Sequence, residues 1–441
     1  MTTNRRIIAA LSVLFSVTTC LAQQADPALA LQSARERLLE ELKSLPRYTC
    51  VQTINRQYFR TSRKKQSSCS ALISEHAART RELPLEGWDR LRLDVAIIEG
   101  KPVYAWPGAS GFEPGAFEKL AGRGPLGSGD FGSFIGEIFG RGIVSFQREE
   151  AAGGRRLLVY SYRMTPDRSK YGVASEKGWT IVAYSGSFTL DPERHDITNL
   201  TVTTDELPDG NPACQAVSEI DFTRTSIHNH ELLIPRETRL RTILRSGSEA
   251  LSRTTYASCR QYGGKTRILT EDPDSPVTPG APDLRRAPAP DLLPPGLRFD
   301  VRITTPIDSE TSAAGDPVEA VLRAPLRDAK KKVLAPAGAR LHGRLHRVEM
   351  NGSRRDDFFQ IAVQFESIEI DGKNVPLRAT TYRTQYPPGR NRARLVDGVE
   401  DDLVDGFGTL IFYGKQLHLK QYDAEWISLP PASAILGIRS Q

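Results

Sequence analysis

The chain has 441 residues, a formal net charge of +6 and 39% hydrophobic residues, enough for two or three domains with proper cores. The basic excess is spread out: Arg outnumbers Lys 45 to 14, and the clusters at 60–65 and 330–332 are short and lack interleaved aromatics. Nucleic acid is therefore not an expected partner, and no later run approaches the roughly 20 apolar residues that a membrane-spanning helix needs.

The first element in chain order is a signal peptide over 1–22. Arg5 and Arg6 precede an apolar run at 7–17, and Cys20-Leu21-Ala22 offers an ordinary cleavage site after Ala22. Cys20 raises lipid modification as an alternative, but Thr19 is not the small Gly, Ala or Ser that lipoprotein cleavage wants before the cysteine. The mature chain is expected to be exported, in the periplasm, at the outer membrane, or released.

Export leaves Cys50, Cys69, Cys214 and Cys259, an even number in an oxidising compartment, so two disulfides are expected. Of three connectivities, Cys50–Cys69 with Cys214–Cys259 is favoured, because each pair brackets nearby strand-like segments. The rival is a zinc site. No Cys-x-x-Cys spacing exists and no histidine stands at ligand spacing from a cysteine, so no metal is expected.

Asp26 and Pro27 make a helix start, and Leu31, Leu38, Leu39, Leu42 and Leu45 recur at helical spacing before Pro46, which predicts an amphipathic helix. Strand-like runs follow at 48–54, 91–98, 102–106, 143–149, 156–164, 178–184, 187–191, 196–203, 214–224, 231–244 and 252–261, separated by turns such as Ala152-Gly153-Gly154 and Pro208-Asp209-Gly210. With no helices between most of them, the expectation for 26–270 is a curved antiparallel sheet.

The exception is 108–142, where eleven glycines punctuate an aromatic segment. Asp130 can cap a short helix with Phe131, Phe134, Ile135, Ile138 and Phe139 on one face. Together with Trp106 these residues are candidates for an apolar groove or a lid over one; the plainer alternative is a sheet core.

Residues 271–295 hold eight prolines and read as an extended linker. Beyond it, strand-like runs at 297–304, 317–322, 339–348, 358–370, 375–381 and 408–419 predict a small β-barrel over 296–436, with turns at Gly315-Asp316, Pro336-Ala337-Gly338 and Asp371-Gly372. The fold class is thus mainly β, with one or two amphipathic helices.

The order of amphipathic helix, aromatic-led strand with Gln52, and long meander resembles the half-barrels of the LolA and RseB type, which implies helices packed in a concave face and, in several of those proteins, bound acyl chains. The runs AYSGSFTLDP at 183–192 and SEIDF at 218–222 resemble a group of exported proteins common in acidobacteria, which implies no particular activity. The stretch at 315–345 with its Pro-Ala-Gly turn, followed by IEIDGKNVPL at 368–377, is similar to the periplasmic barrel of TrbI-type secretion-channel proteins. The apolar helical hairpin with which those proteins cross a membrane is missing here.

Gly127-Ser128-Gly129-Asp130-Phe131-Gly132 matches Gly-x-Gly-x-x-Gly by letter, but a dinucleotide site needs a βαβ unit and the surroundings are antiparallel, so no cofactor is expected. His228 with His230, and His342 with His346, pair without a third ligand nearby. No Gly-x-Ser-x-Gly, His-Glu-x-x-His or Walker loop occurs. The expectation is a non-enzymatic envelope protein binding a lipid or another apolar ligand, or a protein partner. The alternatives are a purely structural component of a periplasmic assembly and a hydrolase built on dispersed acidic residues.

Overall fold

The computed structural model describes residues 26–61, 67–98, 101–109, 132–175, 178–261, 293–352, 357–382 and 406–430. The expected signal peptide, nearly all of the proline-rich linker and Phe131 lie outside the described residues.

Helix α1 (Pro27–Lys43) starts where Asp26 accepts a hydrogen bond from the Ala28 amide at 2.9 Å, with proline in the first turn. Ala30, Ala34 and Leu38 recur every four residues and are its buried stripe. Strand β1 (Tyr48–Phe59) leads to α2 (Cys69–Ala78), which the sequence reading did not anticipate. Then come β2 (Leu85–Ile98), β3 (Lys101–Ala105), α3 (Ser133–Arg141), β4 (Ile143–Ala152) and β5 (Arg155–Met164). A small hairpin, β6 (Gly172–Ser175) and β7 (Gly178–Ile181), precedes β8 (Tyr184–Asp191), β9 (Asp196–Thr204), β10 (Ala213–Ile227), β11 (His230–Leu244) and β12 (Glu249–Gln261).

These strands form an antiparallel meander in the order β3-β2-β1-β12-β11-β10-β9-β8-β5-β4. The register aligns one row of side chains across its face: Phe146, Tyr160, Phe188, Leu200, Ile220, Thr238, Thr254, Ile54 and Leu91. All but Phe146 are buried. Helices α1 and α3 pack on the β5-to-β10 part of that face, where Ala34, Leu38, Ile135, Ile138 and Phe139 join Leu158, Tyr160, Phe188 and Leu200 in one core. Helix α2 packs by Leu72 against Ile243, whose strand position faces the opposite side.

The second strand group comprises β13 (Arg298–Ile303), β14 (Ile307–Asp308), β15 (Pro317–Leu322), β16 (Leu326–Arg327), β17 (Val333–Ala335), β18 (Arg340–Asn351), β19 (Phe358–Ile370), β20 (Lys373–Pro376), β21 (Ala379–Thr381), β22 (Gly408–Tyr413), β23 (His418–Leu419) and β24 (Tyr422–Ser428). Pairing runs β24-β13-β15-β18-β19. Among the described residues no single ladder closes it into a barrel: β19 carries β22 along its first half and β20 along its second, while β21 pairs with β24. Its core holds Val301, Val318, Leu341, Phe365 and Trp426. A Cβ at Gly408 would run into the Trp426 ring, so glycine is required there. The two groups share a sheet, because Gly87, Trp88 and Asp89 of β2 pair with Asn351, Met350 and Glu349 of β18.

The two disulfides are present, but the expected pairing is corrected: Cys50 joins Cys259 and Cys69 joins Cys214. Proximity in sequence misled because β1 returns to lie between β2 and β12, which brings residues 209 apart to neighbouring strands. Helix α2, in turn, is tied by Cys69 to the start of β10.

Candidate functional site

The face covered by α1 and α3 ends before the sheet does. Among the described residues strand β4 is the last strand of the meander, and it is exposed along most of its length, with Ile143 51% and Phe146 43% accessible. An open groove of about 590 Å³ lies between it and the two helices, within the roughly 300–1,000 Å³ of small-molecule sites.

One wall is α1, through Ala28, Leu31 and Leu39, with Gln32, Arg35 and Glu36 at its polar margin. The other wall is Ile138 and Phe139 of α3, continuing through Gly142 to Val144 of β4. Helix α3 is held firmly: Phe139 meets Phe188 edge-on at 5.5 Å, and Phe134 contacts Tyr171 and Tyr184. The helices approach closely because residue 132 is glycine. Its φ of +121° suits glycine alone, and a Cβ there would strike the Leu42 side chain.

Several polar groups beside the groove are tied down. The Tyr160 hydroxyl donates to the Pro27 carbonyl at 2.7 Å and the Tyr184 hydroxyl to Glu137 at 3.0 Å. Burial pushes the Tyr160 hydroxyl up to about 12, so it stays protonated and serves as a fixed donor. At the far end of α1, Arg224 bridges Glu41 and Asp196 at 2.8 and 2.6 Å, and those hydrogen bonds raise its pKa despite burial. The groove is therefore two-sided: an apolar wall of Leu31, Leu39, Ile138, Phe139 and Val144 beside a polar margin where Gln32 donates to Glu36 at 3.0 Å, an arrangement that suits a ligand with an apolar body.

Of the residues expected in a groove or lid, Ile138 and Phe139 line this groove. Ile135 points into the core beneath, and Phe134 packs among tyrosines. Trp106 lies elsewhere: its ring is 5.9 Å from His346, beside Gly315, at the seam between the two strand groups. Sequence reasoning missed Val144 and Phe146 as site residues. The available signal was the breakdown of alternation into Gln147-Arg148-Glu149-Glu150, the charge pattern of an exposed edge strand.

Among the described residues, no three His, Cys, Asp or Glu side chains come together as a metal site, and no helix is long and apolar enough to cross a membrane. No family model and no curated protein matches the chain. Solved structures similar to it include a domain assigned provisionally to outer membrane lipoprotein sorting from Vibrio parahaemolyticus, 10% identical, with 54% of this chain and 95% of that one covered and a TM-score of 0.27. A DUF1329 family protein from Desulfovibrio piger is 10% identical, with 55% and 95% covered and a TM-score of 0.25. MucB is 11% identical, with 92% and 94% covered and a TM-score of 0.18. Likenesses this distant carry no functional argument.

Proposed function

We propose that the chain is an exported cell-envelope protein, non-enzymatic, that holds an apolar ligand such as an acyl chain in the groove between α1, α3 and β4. The observation that carries this reading is the apolar wall formed by Ile138, Phe139 and Val144, which runs on to the uncovered Phe146 of an edge strand. A ligand with an apolar body would take this wall out of water, which is the favourable term in such binding. The two disulfides support an oxidising compartment, where such bonds persist.

Titration with a fluorescent fatty acid tests the reading. The wild-type chain should bind it saturably, and Val144→Asp should weaken binding about tenfold or more, since a carboxylate would have to be desolvated against the ligand. Equal affinity of the two proteins, with both folded by circular dichroism, would place the ligand elsewhere.

A second reading rests on the same strand. Among the described residues the outer edge of β4 has no strand partner, so an extended segment of an envelope protein could add to it as a further strand. In that case crosslinks from β4 should reach a protein, and fatty acid should leave them unchanged.

A further inference from the structure

A larger cleft of about 760 Å³ lies on the opposite side of the meander, and its chemistry is unlike that of the groove. Its floor is the outer face of β1, β2 and β12, including Asn55, Gln57 and Arg90. Its wall is a pair of turns from the second strand group, Ser309-Glu310 and Lys415-Gln416.

That wall is rigid. Strands β14 and β23 pair beside it, the Ser309 amide donates to the Leu417 carbonyl at 2.9 Å, and the Leu417 amide donates to the Ser309 hydroxyl at 3.1 Å. The wall is also fixed to the floor: Arg90 donates to the Ser309 and Ser312 carbonyls at 3.2 Å each, and Arg92 pairs with Asp316. The cleft is thus preformed, and no hinge has to close to make it.

Most of its charges are already used. Arg56 is buried against Asp89, and Arg253 pairs with Glu237 at 2.7 Å. Arg90 is different. Its three acceptors are neutral, the Asn55 side-chain oxygen and two carbonyls, and its guanidinium lies over the Trp88 ring at 5.4 Å. Among the described residues, Lys415 and Glu310 likewise have no oppositely charged partner within salt-bridge distance. The cleft therefore presents two cations and one carboxylate that lack a salt-bridge partner, although Arg90 also feels the fields of Glu310, Asp308 and Asp316, and the amides of Gln57 and Gln416 on facing walls.

We propose that this cleft is a second binding site, for an acidic sugar unit of an envelope glycan. Arg90 and Lys415 would take the ligand's carboxylate, while Glu310 and the two amides would receive its hydroxyls. An apolar ligand would strand these polar groups, and a polyanion would need more free cations than two. The assignment is independent of the groove on the other face.

Calorimetric titration of the full chain with trigalacturonate, against maltotriose and inorganic phosphate, tests it. Saturable binding of trigalacturonate alone is expected. Lys415→Gln, an exposed change that leaves the fold intact, should weaken it about tenfold, as loss of one charge-assisted contact does. Glu310→Gln should weaken it less, because an amide still accepts from hydroxyls. No saturable binding, equal binding of maltotriose, equal binding of phosphate, or an unchanged affinity in Lys415→Gln would each overturn the proposal.

Discussion

His346 shows how one side chain at the seam couples burial to pH. Its ring stacks on Phe407 at 4.4 Å and faces Trp106, and burial first, then the neighbouring Arg347 and Arg344, push its pKa down to about 4. In the unfolded chain the ring titrates near its ordinary value of roughly 6.5. Between those values the unfolded state takes up a proton that the folded state refuses, so stability falls as pH drops from about 6.5 towards about 4 and is unaffected above that window. His346→Phe keeps a stacking ring and removes the titration. The wild type should lose about 2 kcal/mol more than this variant between pH 7 and pH 5 in urea denaturation; parallel pH profiles would show that the ring is not held neutral.

At the same scale, the individual residues of the groove were partly legible. The leucine stripe expected for α1 was only partly right: Leu38 is buried, Leu31, Leu39 and Leu42 are partly buried, Leu45 lies beyond the helix, and the deepest positions are Ala30 and Ala34. The apolar face holding Ile138 and Phe139 follows from helical spacing alone, a local property of the chain. Trp106 was grouped with them because it is aromatic and near in sequence. Its placement against His346 depends on how β3 and β18 share one edge of β2, which no local pattern encodes.

Among the elements, strands were readable wherever one face is buried, because alternation then appears in the sequence; β5, β15 and β19 start or end within a residue of expectation. Helix α2 was not read, since its ten residues carry a weak apolar stripe and it owes its position to the Cys69–Cys214 bond and the Ser68 cap. Strand β24 was also missed, although its Trp426 fills the second core. At α3 the glycine punctuation has a definite use: Gly132 lets the helix start against Leu42. Gly132→Ala should therefore cost about 1–3 kcal/mol through its backbone conformation and that collision. Thermal unfolding at an unchanged midpoint would mean that the α1–α3 contact does not require glycine.

For the whole molecule, the pairing of cysteines is the clearest consequence of topology. The expected local pairs assumed that neighbours in sequence are neighbours in space, whereas a meander whose first strand sits beside its last brings distant residues together. Peptide mapping without reductant should recover Cys50–Cys259 and Cys69–Cys214. Their spans of 209 and 145 residues give, on the chain-entropy model, up to about 5 kcal/mol each. Reductant should accordingly lower the urea midpoint sharply, and an unchanged midpoint would mean that the bonds contribute little to folding.

The two sites proposed lie on unlike faces, one between helices and an edge strand, the other polar and between strand groups. The first is the central claim, and native mass spectrometry of the chain purified by gentle extraction tests it most directly. The expected spectrum shows a species heavier than the polypeptide that releases an acyl-bearing molecule on activation and loses it in Val144→Asp. A bare polypeptide mass, together with no uptake of added fatty acid, would contradict the assignment.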